Sequence, residues 1–130
     1  MTRTLFDVQL DEFARAYVQA ALWAETDDKC EPLDSNYTID DLAPETLEKM
    51  AEDCQRFQTE NTADIAAGPD HPDYTAPERA GHDFWLTRNH HGCGFWDGDW
   101  PESLGERLTA AAHAYGEVYL YVGDDGLIYS

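Results

Sequence analysis

The chain has 130 residues, of which 27 are Asp or Glu and only eight are Lys or Arg, so its formal net charge is -19 at pH 7. Small soluble domains usually carry a net charge of about 2 to 8 in magnitude. A charge this negative repels nucleic acids and anionic membrane surfaces, which excludes direct binding to either and favours basic protein partners.

Residues 1–67 are the more acidic part of the chain and have the apolar spacing of α-helices. Apolar residues recur at helical spacing over residues 10–24 and predict a first amphipathic helix. Residues 27–41 are polar and rich in turn formers, so we predict a loop there. Pro44 suits the first position of a helix, and a second amphipathic helix is predicted from this residue to about Asn61.

Residues 68–81 contain three prolines, which predict a proline-rich loop rather than a regular element. After this loop the character of the chain changes. Residues 83–88 and 94–97 are rich in aromatic and β-forming types, and a turn-forming Asn-His-His-Gly sequence separates them. This arrangement predicts a β-hairpin.

A third helix is predicted to open at Trp100 and Pro101 and to stop at Gly116. Two apolar runs then flank a Gly-Asp-Asp-Gly sequence, and Asp-Gly between apolar runs is a strong signal for a hairpin. We therefore predict an α+β fold in a single domain, residues 1–130. Two N-terminal helices precede a hairpin–helix–hairpin part at residues 82–130, which forms a small antiparallel sheet with helices on one face.

The cysteines and the hydropathy of the chain indicate a compartment. Cys30, Cys54 and Cys93 are an odd number and widely spaced, which argues against a disulfide framework and fits a reducing environment. No apolar run approaches the roughly 20 residues that span a bilayer. Residues 1–9 lack the apolar core of a signal peptide. We therefore expect a cytoplasmic protein.

A cluster of His82, His91 and Cys93 offers imidazole and thiolate groups, which are ligands that Zn²⁺ prefers. A Cys–His pair could also act as nucleophile and base. However, the spacing matches no standard zinc motif, and the sequence does not locate a third group to orient a nucleophile. A zinc-binding or small enzymatic protein stays an alternative, while the sequence predicts no catalytic residue, metal ion or cofactor.

The predicted second helix and the loop before it carry a row of acidic residues. Glu45, Glu48 and Glu52 are spaced so that they lie along one face of the helix. Such a face can simply be solvated, or it can imitate nucleic-acid phosphates and pair with the Arg and Lys side chains of a cationic groove in a partner protein. The candidate partner-binding residues are Asp40, Asp41, Glu45, Glu48, Glu52 and Asp53.

The scarcity of lysine offers another interpretation of the charge. Lys29 and Lys49 are the two lysines of the chain. Proteins adapted to high salt combine few lysines with many acids, because dissolved ions screen the repulsion among the acids. An acidic scaffold of the halophilic type, with no binding site, is therefore a further alternative.

Several segments have distinctive sequences, namely GHDFWLTRN at residues 81–89, GCGFWD at residues 92–97 and YVGDDG at residues 121–126. In these segments, and also in residues 17–28 and 108–112, the chain resembles a group of small acidic proteins encoded by bacteriophages and prophages. The group usually has glycine at the turn position that His90 occupies here, which weakens a metal site built on this turn. The group has no established activity, so the resemblance assigns no functional residue.

The resemblance implies a viral setting, in which small acidic proteins often inhibit host defence by imitating DNA. Together with the charge, it leads us to expect an anti-CRISPR or anti-restriction inhibitor that acts as a nucleic-acid mimic in the cytoplasm of a bacterial host cell. The expected partner is a basic nucleic-acid-binding host protein, with no direct contact to nucleic acid or membrane.

Overall fold

The computed structural model describes residues 10–68, 71–96 and 100–130, and the protein is mainly α-helical in these ranges. Two short 3-10 helices, Leu33–Ser35 and Ile39–Asp41, lie between the first two α-helices. An antiparallel hairpin follows the last helix and consists of β1 (Tyr121–Val122) and β2 (Ile128–Tyr129). The helices are α1 (Glu12–Ala24), α2 (Pro44–Glu60), α3 (Thr62–Ala66), α4 (Ala76–Arg88) and α5 (Glu102–His113).

The prediction of an α+β fold with a sheet is wrong. In the described residues the strands amount to one short hairpin, in which Tyr121 pairs with Tyr129 and Val122 pairs with Ile128. The helices pack mainly against one another around a shared apolar cluster, and not on one face of a sheet. The part predicted as hairpin–helix–hairpin over residues 82–130 is therefore helix, helix and short hairpin.

Other predictions of local structure are confirmed. α1 covers most of the first predicted helix, and α2 begins at Pro44 as expected. The Gly-Asp-Asp-Gly sequence forms the turn of the final hairpin. α5 begins at Glu102 rather than Trp100, and it ends shortly before Gly116, whose φ of +78° suits glycine.

The start of α4 explains why a helix replaces the predicted loop. The Thr75 hydroxyl accepts a hydrogen bond from the Glu78 backbone N–H, and the Glu78 carboxylate accepts one from the Thr75 backbone N–H, which together form a capping box. Pro77 lies in the first turn, where a helix does not need its N–H. The predicted loop at residues 68–81 therefore becomes helix from Ala76 onward.

The burial of α4 explains why its sequence favours a strand. Residues 80–88 are all buried except His82. A helix that is buried on nearly all sides shows no amphipathic period, and a run of aromatic residues then has the composition of a strand. The second predicted strand, residues 94–97, forms no strand as far as Trp96, and Asp97 lies outside the described residues.

α1 and α4 approach each other closely enough for their backbones to touch. A Cβ atom at Gly81 would lie 2.0 Å from the carbonyl oxygen of Phe13, so any larger residue would force the helices apart. The approach brings the rings of Tyr17 and Phe84 to a centroid distance of 5.2 Å. Phe57 of α2 stacks on Phe84 at 4.1 Å, which completes an aromatic core shared by three helices.

The aromatic residues after residue 83 divide between the core and the surface. Phe84, Trp85, Phe95 and Trp100 are buried, and the Trp100 indole N–H donates to the buried Asp83 carboxylate at 2.8 Å. Trp96 is 46% exposed. Most of this aromatic set therefore stabilises the fold.

The three cysteines are free thiols in different environments. Cys30 is exposed, Cys93 is half-buried and Cys54 is buried, and none of the three is in a disulfide. Burial raises the pKa of the Cys54 thiol well above its ordinary value. Within the described ranges, no helix has both the length and the apolar character needed to cross a membrane.

Arg88, the last residue of α4, is a buried cation with partners on three sides. Its side chain is 3% exposed, and its guanidinium pairs with the Asp53 carboxylate at 3.0 Å. It also donates hydrogen bonds to the Tyr17 hydroxyl and to the backbone carbonyls of Tyr115 and Gly116. Arg88 therefore joins α1, α2 and α4 to the chain segment that follows α5.

Replacing Arg88 by methionine is expected to lower the free energy of unfolding by about 3 to 5 kcal/mol, because Asp53 and two backbone carbonyls lose their partner. Arg107→Met is the matched control, since Arg107 pairs with Asp64 at the surface and such pairs contribute about 1 kcal/mol or less. Urea denaturation followed by circular dichroism measures both changes. An equal loss of unfolding free energy in the two variants would show that buried Arg88 stabilises the fold no more than a surface ion pair does.

Candidate protein-binding surface

The net charge is concentrated in two segments of the chain. Residues 25–45 carry eight acidic residues and one basic residue, Lys29, and therefore a net charge of -7. Residues 117–130 carry three acidic residues and no basic residue, a net charge of -3. These 35 residues thus hold -10 of the total -19, and we call them together the acidic face.

The fold places the two segments of the acidic face side by side. Leu42 forms a parallel bridge with Ile128, and the Ala43 backbone N–H donates to the Ile128 carbonyl at 2.9 Å. The two segments also line a common groove of about 410 Å³, which we call the acidic groove. The residues that line it are Glu25, Thr26, Asp27, Asp28, Tyr37, Tyr119, Leu120, Tyr121, Val122, Gly123 and Asp124.

A tight turn after α1 presents one wall of the acidic groove. The Asp27 carboxylate accepts hydrogen bonds from the backbone N–H groups of Lys29 and Glu31, at 2.9 and 3.0 Å. Cys30 has a φ of +62°, a backbone conformation that non-glycine residues seldom adopt. The turn thus uses Asp27 for its own structure and leaves the Asp28 carboxylate exposed.

Glu25 connects the acidic groove to the core. Its side chain is 22% exposed, and its carboxylate accepts a hydrogen bond from the indole N–H of buried Trp85 at 2.8 Å. The same carboxylate oxygen lies against the His91 imidazole. These two contacts fix the chain at the point where α1 ends and the acidic segment begins.

The hairpin forms the other wall and alternates apolar and aromatic side chains. Leu120 and Ile128 are buried, whereas Tyr119 is 79% exposed and Tyr121 is 47% exposed. Tyr119 precedes β1 and its ring lies beside the Tyr121 ring, and Tyr129 lies opposite Tyr121 across the hairpin. The ring centroids are 6.2 Å apart for Tyr119 and Tyr121, and 5.9 Å apart for Tyr121 and Tyr129.

Tyr119, Tyr121 and Tyr129 form a row of rings, which we call the tyrosine row. One end of the tyrosine row is fixed by a hydrogen bond across the turn. The Tyr129 hydroxyl donates to the Asp125 carboxylate, which raises the pKa of Tyr129 to about 12 and lowers the pKa of Asp125. The Ala43–Ile128 backbone hydrogen bond places the start of α2 near the hairpin, and the charge of Glu45 contributes to the raised pKa of Tyr129. A Cβ atom at Gly123 would lie 2.7 Å from the Tyr129 ring, so glycine makes room for this ring.

The structure divides the six predicted partner-binding residues between two regions. Asp40, Asp41 and Glu45 belong to the acidic face, and Asp40 and Glu45 are exposed. Asp41 accepts a hydrogen bond from the Thr38 backbone N–H at 2.8 Å, as part of a capping box, and so helps to hold the segment in place.

The other three predicted residues lie further along α2, where acids and bases alternate. Glu52 is exposed and Glu48 is half-buried. Lys49 lies three residues before Glu52 and Arg56 lies four residues after it, so both basic residues are on the same side of the helix as Glu52. Asp53 is the ion-pair partner of buried Arg88 and is therefore part of the fold. The carboxylate row predicted from the sequence is interrupted along α2.

The predicted metal or catalytic cluster is spread over different contacts. His82 lies beside the Asp83 carboxylate and 6.2 Å from the Trp23 ring, whereas His91 contacts Glu25. The Cys93 thiol lies 4.0 Å from the His91 backbone carbonyl. Among the described residues, no three His, Cys, Asp or Glu side chains come together as metal ligands would.

A second cleft, of about 570 Å³, lies between α2 and α5 and has a mixed charge. Among the residues that line the cleft, Arg88 pairs with Asp53, and Arg56 pairs with Glu60 at 3.3 Å. The Tyr115 hydroxyl donates to Glu60 at 2.7 Å, which lowers the pKa of this carboxyl. Because these charges neutralise each other, the cleft has no strong preference for an ion of either sign.

Sequence reasoning did not identify the hairpin tyrosines or the residues of the turn after α1 as parts of one surface. The alternation of Val118-Tyr119-Leu120-Tyr121-Val122 was a usable signal, because it predicts one buried and one exposed face. The proximity of residues 25–28 to the hairpin had no local signal, since about 90 residues separate the two segments in sequence.

Replacing Asp125 by asparagine is expected to lower the pKa of Tyr129 from about 12 toward the ordinary tyrosine value of about 10. Since the folded protein raises this pKa, the hydrogen bond stabilises the hairpin fully below about pH 10 and is lost as the pH rises through about 12. An NMR titration of the Tyr129 ring carbon measures the change. Asp124→Asn is the control, and identical titrations in the Asp125 variant and the native protein would contradict the assigned hydrogen bond.

Comparisons with known proteins do not point to a relative. No protein-family model, no curated protein and no solved structure matches the chain. The function of the protein is therefore inferred from the charges and contacts of the acidic face.

Proposed function

We propose that this protein is a phage-encoded inhibitor that occupies the cationic nucleic-acid site of a host defence protein, such as a CRISPR effector or a restriction component. The acidic face supplies carboxylates in place of phosphates, and no bond is made or broken. The observation that carries the proposal is the concentration of -10 of the -19 net charge on two segments that the fold brings together.

A concentrated charge differs in its physical effect from a scattered one. Carboxylates that share one face add their fields, which steers a cationic partner toward that face and accelerates association. Solubility or tolerance of high salt would be served equally well by acids spread over the whole surface. The crowding of acids on the acidic face, against the alternation of acids and bases along α2, therefore favours a binding role over a halophilic scaffold.

The acidic face also combines fixed scaffolding carboxylates with exposed ones. Asp27, Asp41 and Asp125 accept hydrogen bonds from the backbone of their own segments and so hold the turns in shape. Asp28 and Asp124 are exposed on opposite walls of the acidic groove. A surface whose shape is set before binding loses less conformational entropy when a partner docks.

The double substitution Asp28→Asn/Asp124→Asn is expected to weaken inhibition about tenfold or more, because it removes one exposed charge from each wall of the groove. The matched control is Glu102→Gln/Glu106→Gln, which removes two exposed charges from α5, outside the acidic face. Displacement of fluorescent DNA from purified CRISPR effectors and restriction nucleases, followed by anisotropy at several salt concentrations, measures the effect. Native inhibition is expected to fall steeply as salt rises.

A third variant, Glu48→Gln/Glu52→Gln, tests the α2 row suggested by the sequence. Retained inhibition in this variant, with loss in the Asp28 and Asp124 variant, would place the contact on the acidic face. Equal weakening in all three variants would indicate nonspecific attraction by total charge. No displacement of DNA from any member of the panel would contradict the proposed function.

A further inference from the structure

We infer that the tyrosine row of the hairpin makes the acidic face selective for arginine over lysine, so that the partner's docking segment is arginine-rich. This inference rests on the proposed function and names the chemistry of the group that the acidic face receives. It is carried by the exposed rings of Tyr119 and Tyr121 beside the acidic groove.

The tyrosine row is exposed without a role in the core. Among the described residues, four large hydrophobic side chains are exposed, and two of them, Tyr119 and Tyr121, have neighbouring rings at the start of the hairpin. Their interplanar angle is 20°, and the next pair, Tyr121 and Tyr129, is inclined by 26°. The three rings thus present a nearly continuous aromatic surface, and tyrosine is enriched where proteins bind one another.

Charge complementarity indicates which kind of partner side chain binds to this aromatic surface. Asp28 and Asp124 line the same groove as Tyr119 and Tyr121, and the acidic face carries a net charge of -10. A purely apolar partner would leave these carboxylates without counter-charges, and an acidic partner would be repelled. A cationic side chain can contact a ring face and a carboxylate at the same time.

Arginine fits this combination better than lysine. A guanidinium is planar and weakly hydrated, so it can lie flat on a ring while its N–H groups pair with a carboxylate. An ammonium is compact and strongly hydrated, and it loses more solvation on a ring. The protein itself uses this contact, since the guanidinium of Arg79 lies 5.1 Å from the Tyr74 ring centroid and that of Arg88 lies 5.6 Å from the Tyr115 ring centroid.

Two fluorescent peptides of equal length and charge test the inference, one made of arginine and glycine and the other of lysine and glycine. Anisotropy titrations at constant salt are expected to show that the native protein binds the arginine peptide about tenfold more tightly. Tyr119→Leu/Tyr121→Leu keeps apolar bulk but removes the rings, and it is expected to abolish most of this preference. Tyr119→Phe/Tyr121→Phe retains the rings and should keep the preference.

Two controls separate the rings from the charges. Trp23→Ala/Trp96→Ala removes two exposed aromatic residues that do not line the acidic groove and should leave the preference unchanged. Asp28→Asn/Asp124→Asn should weaken both peptides alike and preserve their ratio. Circular dichroism of each variant confirms that the helices are intact.

Each outcome bears on a different claim. Equal binding of the two peptides by the native protein, or an unchanged preference in the leucine variant, would overturn the role of the tyrosine row while leaving the acidic face as a docking surface. Failure of both peptides to bind at low salt would count against the docking surface, and with it against the proposed function.

Discussion

The buried guanidinium of Arg88 is the interaction on which the arrangement of this protein depends. A cation removed from water must be paired and hydrogen-bonded, and Arg88 meets this requirement with groups from three other parts of the chain. Its bonds to the carbonyls of Tyr115 and Gly116 fix where the chain leaves α5. Directly beside it, the Asn89 side chain accepts the Val118 backbone N–H at 2.7 Å, which fixes the entry to the hairpin.

The C-terminal part of α4 thereby organises both segments of the acidic face. Trp85 holds Glu25 at the end of α1, and Asn89 holds Val118 ahead of the hairpin. The self-repulsion of two acidic segments opposes their approach, and the buried contacts of α4 and the backbone bridge between the buried residues Leu42 and Ile128 offset it. A fold that gathers like charges in this way uses core stability to build a strongly anionic surface.

The sequence allowed part of this organisation to be predicted. Pro44 and the Gly-Asp-Asp-Gly turn mark their elements because local backbone chemistry decides them. α4 was missed because its burial on nearly all sides removes the amphipathic period, although Thr75 and Glu78 offered a capping-box signal. The amount of charge is evident from composition, but its concentration is not, since that depends on contacts between residues about 90 positions apart.

The central claim is that a cationic partner docks on the acidic face and not on the protein as a whole. Backbone amide chemical shifts, recorded by NMR while a short arginine–glycine peptide is added at physiological salt, test it most directly. We expect the largest shift changes in residues 25–45 and 117–130, with small changes in α3 and α5. Shift changes of similar size over all the helices would contradict it, because they would show that only total charge attracts the peptide.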